Sequence, residues 1–175
     1  MKLNLERIEE DEPLSLDERL EISADRLDPS VVAGPVKVRA RVRITRLPEE
    51  HLLRGRMSIA GRLTCIRCLE ELPWSTEEEL TIRLVPAVNS PGAEELELEA
   101  GDLDVRFVED HELDLLDVAA EQVLLALPMH AVCREDCAGV CPTCGANLND
   151  EGACTCDPVV DPRWAALADL AGRNS

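Results

Sequence analysis

The chain has 175 residues, 36 acidic against 18 basic, with a formal charge of −18 and 45% hydrophobic side chains. That suits one medium domain, or one domain with a small appendage, around an ordinary core. The aromatics are Trp74, Phe107 and Trp164, so the core is aliphatic, and an aromatic stacking surface for single-stranded nucleic acid is argued against. The negative balance repels polyanions at long range and attracts basic partners.

No secretory signal is visible over residues 1 to 10, and no window reaches the ~18 apolar residues of a membrane helix. The expected location is the cytoplasm, with no membrane partner. In that compartment eight cysteines read as metal ligands rather than disulfides.

Leu3 and Leu5 alternate with polar neighbours and predict an edge strand. Residues 9 to 30 are acidic and interrupted by Pro, and their pattern fixes no element. After Gly34-Pro35, the residues Val36, Val38, Ala40, Val42 and Ile44 alternate with Lys37, Arg39, Arg41, Arg43 and Thr45. Period two is the mark of a half-buried strand. Leu47 to Glu50 reads as a turn, and a second alternating run follows, with Leu53, Gly55, Met57, Ile59, Gly61 and Leu63 on one face. The two runs predict an antiparallel hairpin. A third strand is expected over Trp74 to Val85, with Leu80, Ile82 and Leu84 inward, then an exposed acidic loop over residues 86 to 102. Asp104 to Val108 predicts another short strand.

Asp114 is an N-cap candidate for a helix that carries Leu115, Val118, Ala119, Gln122, Val123 and Ala126 on one stripe. Leu116, Leu124, Leu125 and Leu127 make it apolar nearly all round, so it is expected to be largely buried. Pro128 limits it. A short terminal helix is expected from Asp161-Pro162, with Trp164, Leu167 and Leu170 on its apolar side. The fold expected is α+β: an antiparallel β-sheet body with one buried helix over residues 1–128, and a small Cys-rich zinc-binding lobe over 129–175.

The cysteines run Cys65-Ile-Arg-Cys68, Cys133, Cys137, Cys141-Pro-Thr-Cys144-Gly, and Cys154-Thr-Cys156. Thiolates this close in sequence converge on one ion without straining the chain, and a glycine after the second Cys allows the turn that aims N–H groups at sulfur. Cys141, Cys144, Cys154 and Cys156 make one candidate tetrahedral zinc site. Cys65, Cys68, Cys133 and Cys137 make a second. A single site from Cys133, Cys137, Cys141 and Cys144 is the competing partition. Two other chemistries stay open: a redox pair at Cys65/Cys68, and an iron–sulfur cluster on Cys137-x3-Cys141-x2-Cys144.

Residues 34 to 67 hold nine cationic side chains against Glu49 and Glu50, a net +7, which leaves −25 on the rest of the chain. Strand alternation puts Lys37, Arg39, Arg41, Arg43, Arg54, Arg56 and Arg62 forward as a candidate phosphate-contacting surface. The competing reading is a solvated face paired internally with Glu77 and Glu79. No nucleophile–base pair or phosphate-binding glycine loop is recognisable, the three His are scattered, and Asp114, Asp117 and Glu121 read as solvated or capping. The expectation is a protein that is not an enzyme and has no small-molecule substrate.

Several of these strings together resemble the YceD-type family of large-ribosomal-RNA accumulation proteins. They are Gly61-x3-Cys65-Ile-Arg-Cys68-Leu-Glu, then Asp114-Leu-Leu-Asp leading to Leu125-Ala-Leu-Pro128. Cys133-x3-Cys137-Ala-Gly-Val-Cys141-Pro-Thr-Cys144-Gly-Ala-Asn-Leu-Asn149, Cys154-Thr-Cys156 and Asp161-Pro-Arg-Trp-Ala-Ala-Leu167 follow. The resemblance implies a non-catalytic role in accumulation of large-subunit (23S) ribosomal RNA. That RNA is the partner the resemblance implies; the acidic remainder of the chain, by its charge alone, suggests instead a basic large-subunit ribosomal protein, with an acidic chaperone for it as the alternative function.

Overall fold

The computed structural model describes residues 1–89, 104–150 and 154–156. Most of the acidic loop expected over 86–102, and the terminal helix expected from Asp161, lie outside them.

The chain divides into two units, Met1–Thr64 with Glu71–Met129, and Cys65–Glu70 with the residues from His130 on. The first unit is built on a five-stranded sheet. Its strands are β2 (Leu14–Ile22), β3 (Val36–Arg46), β4 (His51–Thr64), β5 (Glu71–Pro86) and β6 (Val105–Val108), adjacent in that order. Neighbours are antiparallel except β5 and β6, which run parallel. The antiparallel body expected is therefore mixed at one edge. A separate ribbon pairs β1 (Lys2–Asn4) with β7 (Glu112–Asp114).

Period-two patterning explains why the sheet has one dry and one wet face. On β3 the residues Val36, Val38, Ala40, Val42 and Ile44 are all buried, while Lys37, Arg39, Arg41 and Arg43 are exposed. On β4, Leu53, Met57, Ile59 and Leu63 continue the buried face. On β5, Leu80 and Leu84 are buried and Ile82 is half-buried. Each fully buried Val, Leu, Ile or Met among them stabilises by about 1.5–3 kcal/mol. β5 begins at Glu71, three residues before the expected start, and carries Pro73 in register with Arg62.

β2 is the strand that residues 9 to 30 did not announce. Its inward positions are Leu14, Leu16, Glu18, Leu20 and Ile22, in register with the buried residues of β3. Glu18 interrupts the apolar alternation in the middle, so the sequence pattern falls below what marks a strand.

Helix α1 (Leu115–Ala126) starts at Asp114, whose carboxylate accepts a hydrogen bond from the Leu116 N–H at 2.9 Å. It contacts β2 and β5. Leu115, Val118, Ala119, Ala120 and Val123 are buried, but Leu124 is 46% and Leu125 79% exposed. The helix expected to be largely buried is buried along one stripe and leaves part of its apolar surface exposed. A helix laid on one sheet face buries one stripe, and its opposite flank stays in water. Among the described residues no helix is long and apolar enough to cross a membrane.

The second unit has no regular strand or helix among its described residues. Its backbone is held by turns and an isolated bridge between Val140 and Asn147.

Candidate functional site

Both thiol clusters lie in the second unit, and each is built on the same turn. In Cys65–Glu70 the Cys65 N–H donates to the Glu70 carbonyl at 2.8 Å, and the Leu69 N–H to the Cys65 carbonyl at 2.9 Å. In Cys141–Ala146 the Cys141 N–H donates to Ala146 and the Gly145 N–H returns to Cys141, both at 2.8 Å. The turn leaves backbone N–H groups pointing at the first sulfur of each pair. Burial pushes the Cys65 thiol up, but N–H groups of Cys68, Arg67 and Cys133 outweigh it and bring it down to about 6. The Cys144 and Thr143 N–H groups bring Cys141 down to about 6 in the same way. Cys156 is pushed up to about 12, first by its bond to the Cys144 sulfur and then by burial. Four thiols crowded together cannot all ionise alone, and a bound cation removes that conflict.

The geometry groups the sulfurs as Cys65, Cys68, Cys133, Cys137 and as Cys141, Cys144, Cys154, Cys156, each set lying within 4.8 Å of one another. None is in a disulfide. In the first set Cys65 and Cys137 are 3.9 Å apart and Cys68 and Cys133 are 3.7 Å apart. A tetrahedron of thiolates about 2.3 Å from zinc has edges of about 3.8 Å, so the spacing fits that ion. Cys137 belongs to one set and Cys141 and Cys144 to the other. The Cys137-x3-Cys141-x2-Cys144 string therefore does not converge on one centre, and neither does a set of Cys133, Cys137, Cys141 and Cys144. His130 is exposed and stands in neither cluster.

Supporting residues escaped the sequence reading. Asn149 donates from Nδ2 to the Cys137 sulfur at 3.5 Å, and its Oδ1 accepts from the Ala138 N–H at 2.9 Å and from Arg134 at 2.7 Å. Asn147 donates to Glu70 at 2.9 Å. Arg67, counted with the cationic segment, instead donates to the carbonyls of Glu135 at 2.9 Å and Cys137 at 3.1 Å. Such partners orient ligands and tune them. Asn next to a cysteine cluster was the only available signal, and it is weak, because Asn is common in turns.

The cationic residues lie on the wet face of the first unit's sheet, and cross-strand register sorts them. Arg39 grips Asp17 with both arms, at 2.8 and 2.7 Å, which holds the Asp17 carboxyl below the usual carboxylate range. Arg56 pairs with Glu79, and Arg62 with Glu71 at 2.9 Å. Lys37, Arg41, Arg43 and Arg54 have no ion-pair partner among the described residues. Asp17 sits directly opposite Arg41, but its carboxylate is bonded to the diagonal Arg39. Arg43 faces Ser15 on one side and Arg54 on the other, and Arg54 faces Thr81, so that row holds two cations and no acid. Arg41 opposes Arg56 and Arg43 opposes Arg54, like charges that cost stability when directly opposed. The seven candidate residues thus divide into three that are ion-paired and four that are not; of the four, Lys37 faces Glu21 and Arg41 faces Asp17 across the sheet, while Arg43 and Arg54 face no acid. The carboxylates on the first turns of α1 are also engaged: Asp114 caps, Asp117 pairs with Arg26 and Glu121 with Arg106.

The sequence model of the family described as "Large ribosomal RNA subunit accumulation protein YceD" matches residues 53–171. The chain belongs to the YceD family. An uncharacterized protein of Mycobacterium tuberculosis is 32% identical over 134 residues, 77% of this chain and 62% of that one. An uncharacterized protein of Mycobacterium leprae is 28% identical over 140 residues, 80% of this chain and 62% of that one. A maize protein named as a chloroplastic homologue of the large ribosomal RNA subunit accumulation protein YCED is 29% identical over 133 residues, 60% of this chain and 45% of that one. The chain spans 62% of the length of the Mycobacterium relatives it matches. No solved structure gave a significant match. The YceD match covers β4 from Leu53 on, β5, α1 and all eight cysteines, so both thiol clusters fall inside the family's shared region. β2 and β3, with five of the sheet's outward cations, lie ahead of it.

Proposed function

We propose that this YceD-family protein acts without catalysis in accumulation of large-subunit ribosomal RNA in the cytoplasm, contacting that RNA through the wet face of its sheet. Two four-thiolate sites filled by zinc organise the second unit, and their closed ligand sets leave no open position for chemistry. The observation that carries the reading is the row in which Arg43 opposes Arg54 between Ser15 and Thr81, two cations with no acid beside them. Folding alone gains nothing from concentrating like charge there, whereas a phosphate backbone neutralises it. Residues two apart on a strand are about 6.7 Å apart, a spacing comparable to that of successive phosphates along one strand.

The test is binding of large-subunit RNA fragments across a salt series. Wild-type protein should lose affinity steeply as salt rises. The variant Arg41→Glu/Arg43→Glu/Arg54→Glu should bind weakly with a flatter salt slope, while Arg39→Gln/Arg62→Gln, which touches only neutralised cations, should change little. Equal loss in both variants, or none in the triple variant, removes this face from the mechanism. Elemental analysis with a visible spectrum checks the metal: zinc without charge-transfer absorption is expected, and a coloured protein would return the reading to iron–sulfur or redox chemistry.

A further inference from the structure

The sheet's other conspicuous surface is the free edge of β2. Among the described residues no strand pairs with its outward side, although Leu14–Ile22 is nine residues long. The opposite edge, β6, offers only four. An unpaired strand of this length presents a row of N–H and C=O groups to any extended chain that can reach it.

Charge decides what that chain is. Residues 9 to 22 contain Glu9, Glu10, Asp11, Glu12, Asp17, Glu18 and Glu21 against the single cation Arg19, a net −6. All the acids but Glu18 are exposed, and Asp17 is the one already gripped by an arginine. Three of these acids lie on β2 and four just before it, so a second copy of this chain would bring the same net negative charge to the edge, and a nucleic-acid strand would also be repelled. We infer that the β2 edge takes an extended, lysine- and arginine-rich protein segment by strand addition. Backbone hydrogen bonds supply the register, and the acids at and just before β2 supply the selectivity. This surface is separate from the arginine rows and does not rest on the RNA reading. Arg19 and the Arg39–Asp17 pair stand between the two.

The test uses the full-length, metal-loaded protein and a fluorescein-labelled nonapeptide of alternating Lys and Val. Its control is a nonapeptide of alternating Lys and Pro, equal in charge but unable to act as a strand. The Lys–Val peptide should bind about tenfold or more tightly than the Lys–Pro peptide, a difference that charge alone does not give. Hydrogen exchange should slow in Leu14–Ile22 when it binds. The exposed-site variant Glu10→Lys/Glu12→Lys/Glu21→Lys should lose that affinity, and Arg41→Glu/Arg43→Glu/Arg54→Glu should keep it. Equal binding of the two peptides, absence of binding, or protection confined to another element each overturns the inference. Should the lysine variant fold poorly, the exchange map on wild-type protein still decides.

Discussion

Leu69 and Gly145 occupy the same place in two copies of one turn. Each follows the second cysteine of a Cys-x-x-Cys pair, and each donates its N–H to the carbonyl of the first cysteine. Both have left-handed backbone, φ 62° at Leu69 and 75° at Gly145. Glycine takes that conformation freely, and leucine does not. Leu69 is also 64% exposed, so no core packing offsets the strain.

Leu69→Gly should therefore stabilise the second unit by about 0.5–1 kcal/mol, the left-handed penalty less glycine's extra entropy in the unfolded chain. Gly145→Ala should cost about 1 kcal/mol from the backbone alone, because a Cβ there meets nothing within 4 Å. Midpoints of chelator-induced unfolding measure both. A less stable Leu69→Gly protein would mean that the leucine side chain holds something the turn needs.

Thiol deletion tests the grouping of the sulfurs. Cys65→Ser and Cys137→Ser should each remove the same ion, and Cys141→Ser and Cys156→Ser the other, with metal content falling from about two per chain to about one in every case. Combining Cys137→Ser with Cys141→Ser should remove both. Native mass spectrometry reads the count directly. If those two single variants empty the same site, the partition is wrong.

Gly55 lies between Arg54 and Arg56 on β4, opposite Val42. A Cβ there would stand 2.3 Å from the Arg41 carbonyl oxygen and 2.7 Å from the Val42 Cα. Both obstacles are backbone, so nothing can swing aside. Gly55→Ala should destabilise the first unit by about 3 kcal/mol or more, or prevent folding. Gly61→Ala meets a valine methyl at 3.1 Å instead and should cost less. Urea denaturation of the two variants makes the comparison.

His51 is buried at the start of β4, and its Nε2 has no hydrogen-bond partner. Burial holds its pKa below the ordinary 6.5; a bond to the Leu5 backbone opposes that, and the nearby charges of Arg46 and His111 add to it. The unfolded chain then takes up this proton before the folded one does, so stability is intact above about pH 6.5 and falls as pH drops through it. In His51→Leu that part of the pH slope should vanish. Denaturation at about pH 7.5 and pH 5.5, compared between the two proteins, isolates the effect, since contributions common to both cancel. An unchanged slope would show that His51 is protonated in the folded state.

Residues 36 to 64 could be read as a hairpin because each strand's alternation is local, and a side-chain period of two has one structural meaning. The Asp114 cap was legible for the same reason: its partner, the Leu116 N–H, is two residues away. β2 was not, because Glu18 sits at an inward position and only pairing with β3 shows which face it takes. The helix was legible in extent but not in exposure, since Leu124 and Leu125 look the same in sequence whether a sheet covers them or water does.

Taken alone, the sequence determined the parts whose physics is local: alternating strands, a capped helix, and cysteine pairs spaced to chelate. Tertiary structure decided everything that joins distant residues. It brought Cys65 and Cys68 to Cys133 and Cys137, and it chose which arginines met a carboxylate. Arg39 and Arg41 have identical neighbours in sequence by charge and period. Asp17, more than twenty residues earlier in the chain, bonds one and leaves the other, because register and the diagonal reach of side chains are properties of the assembled sheet.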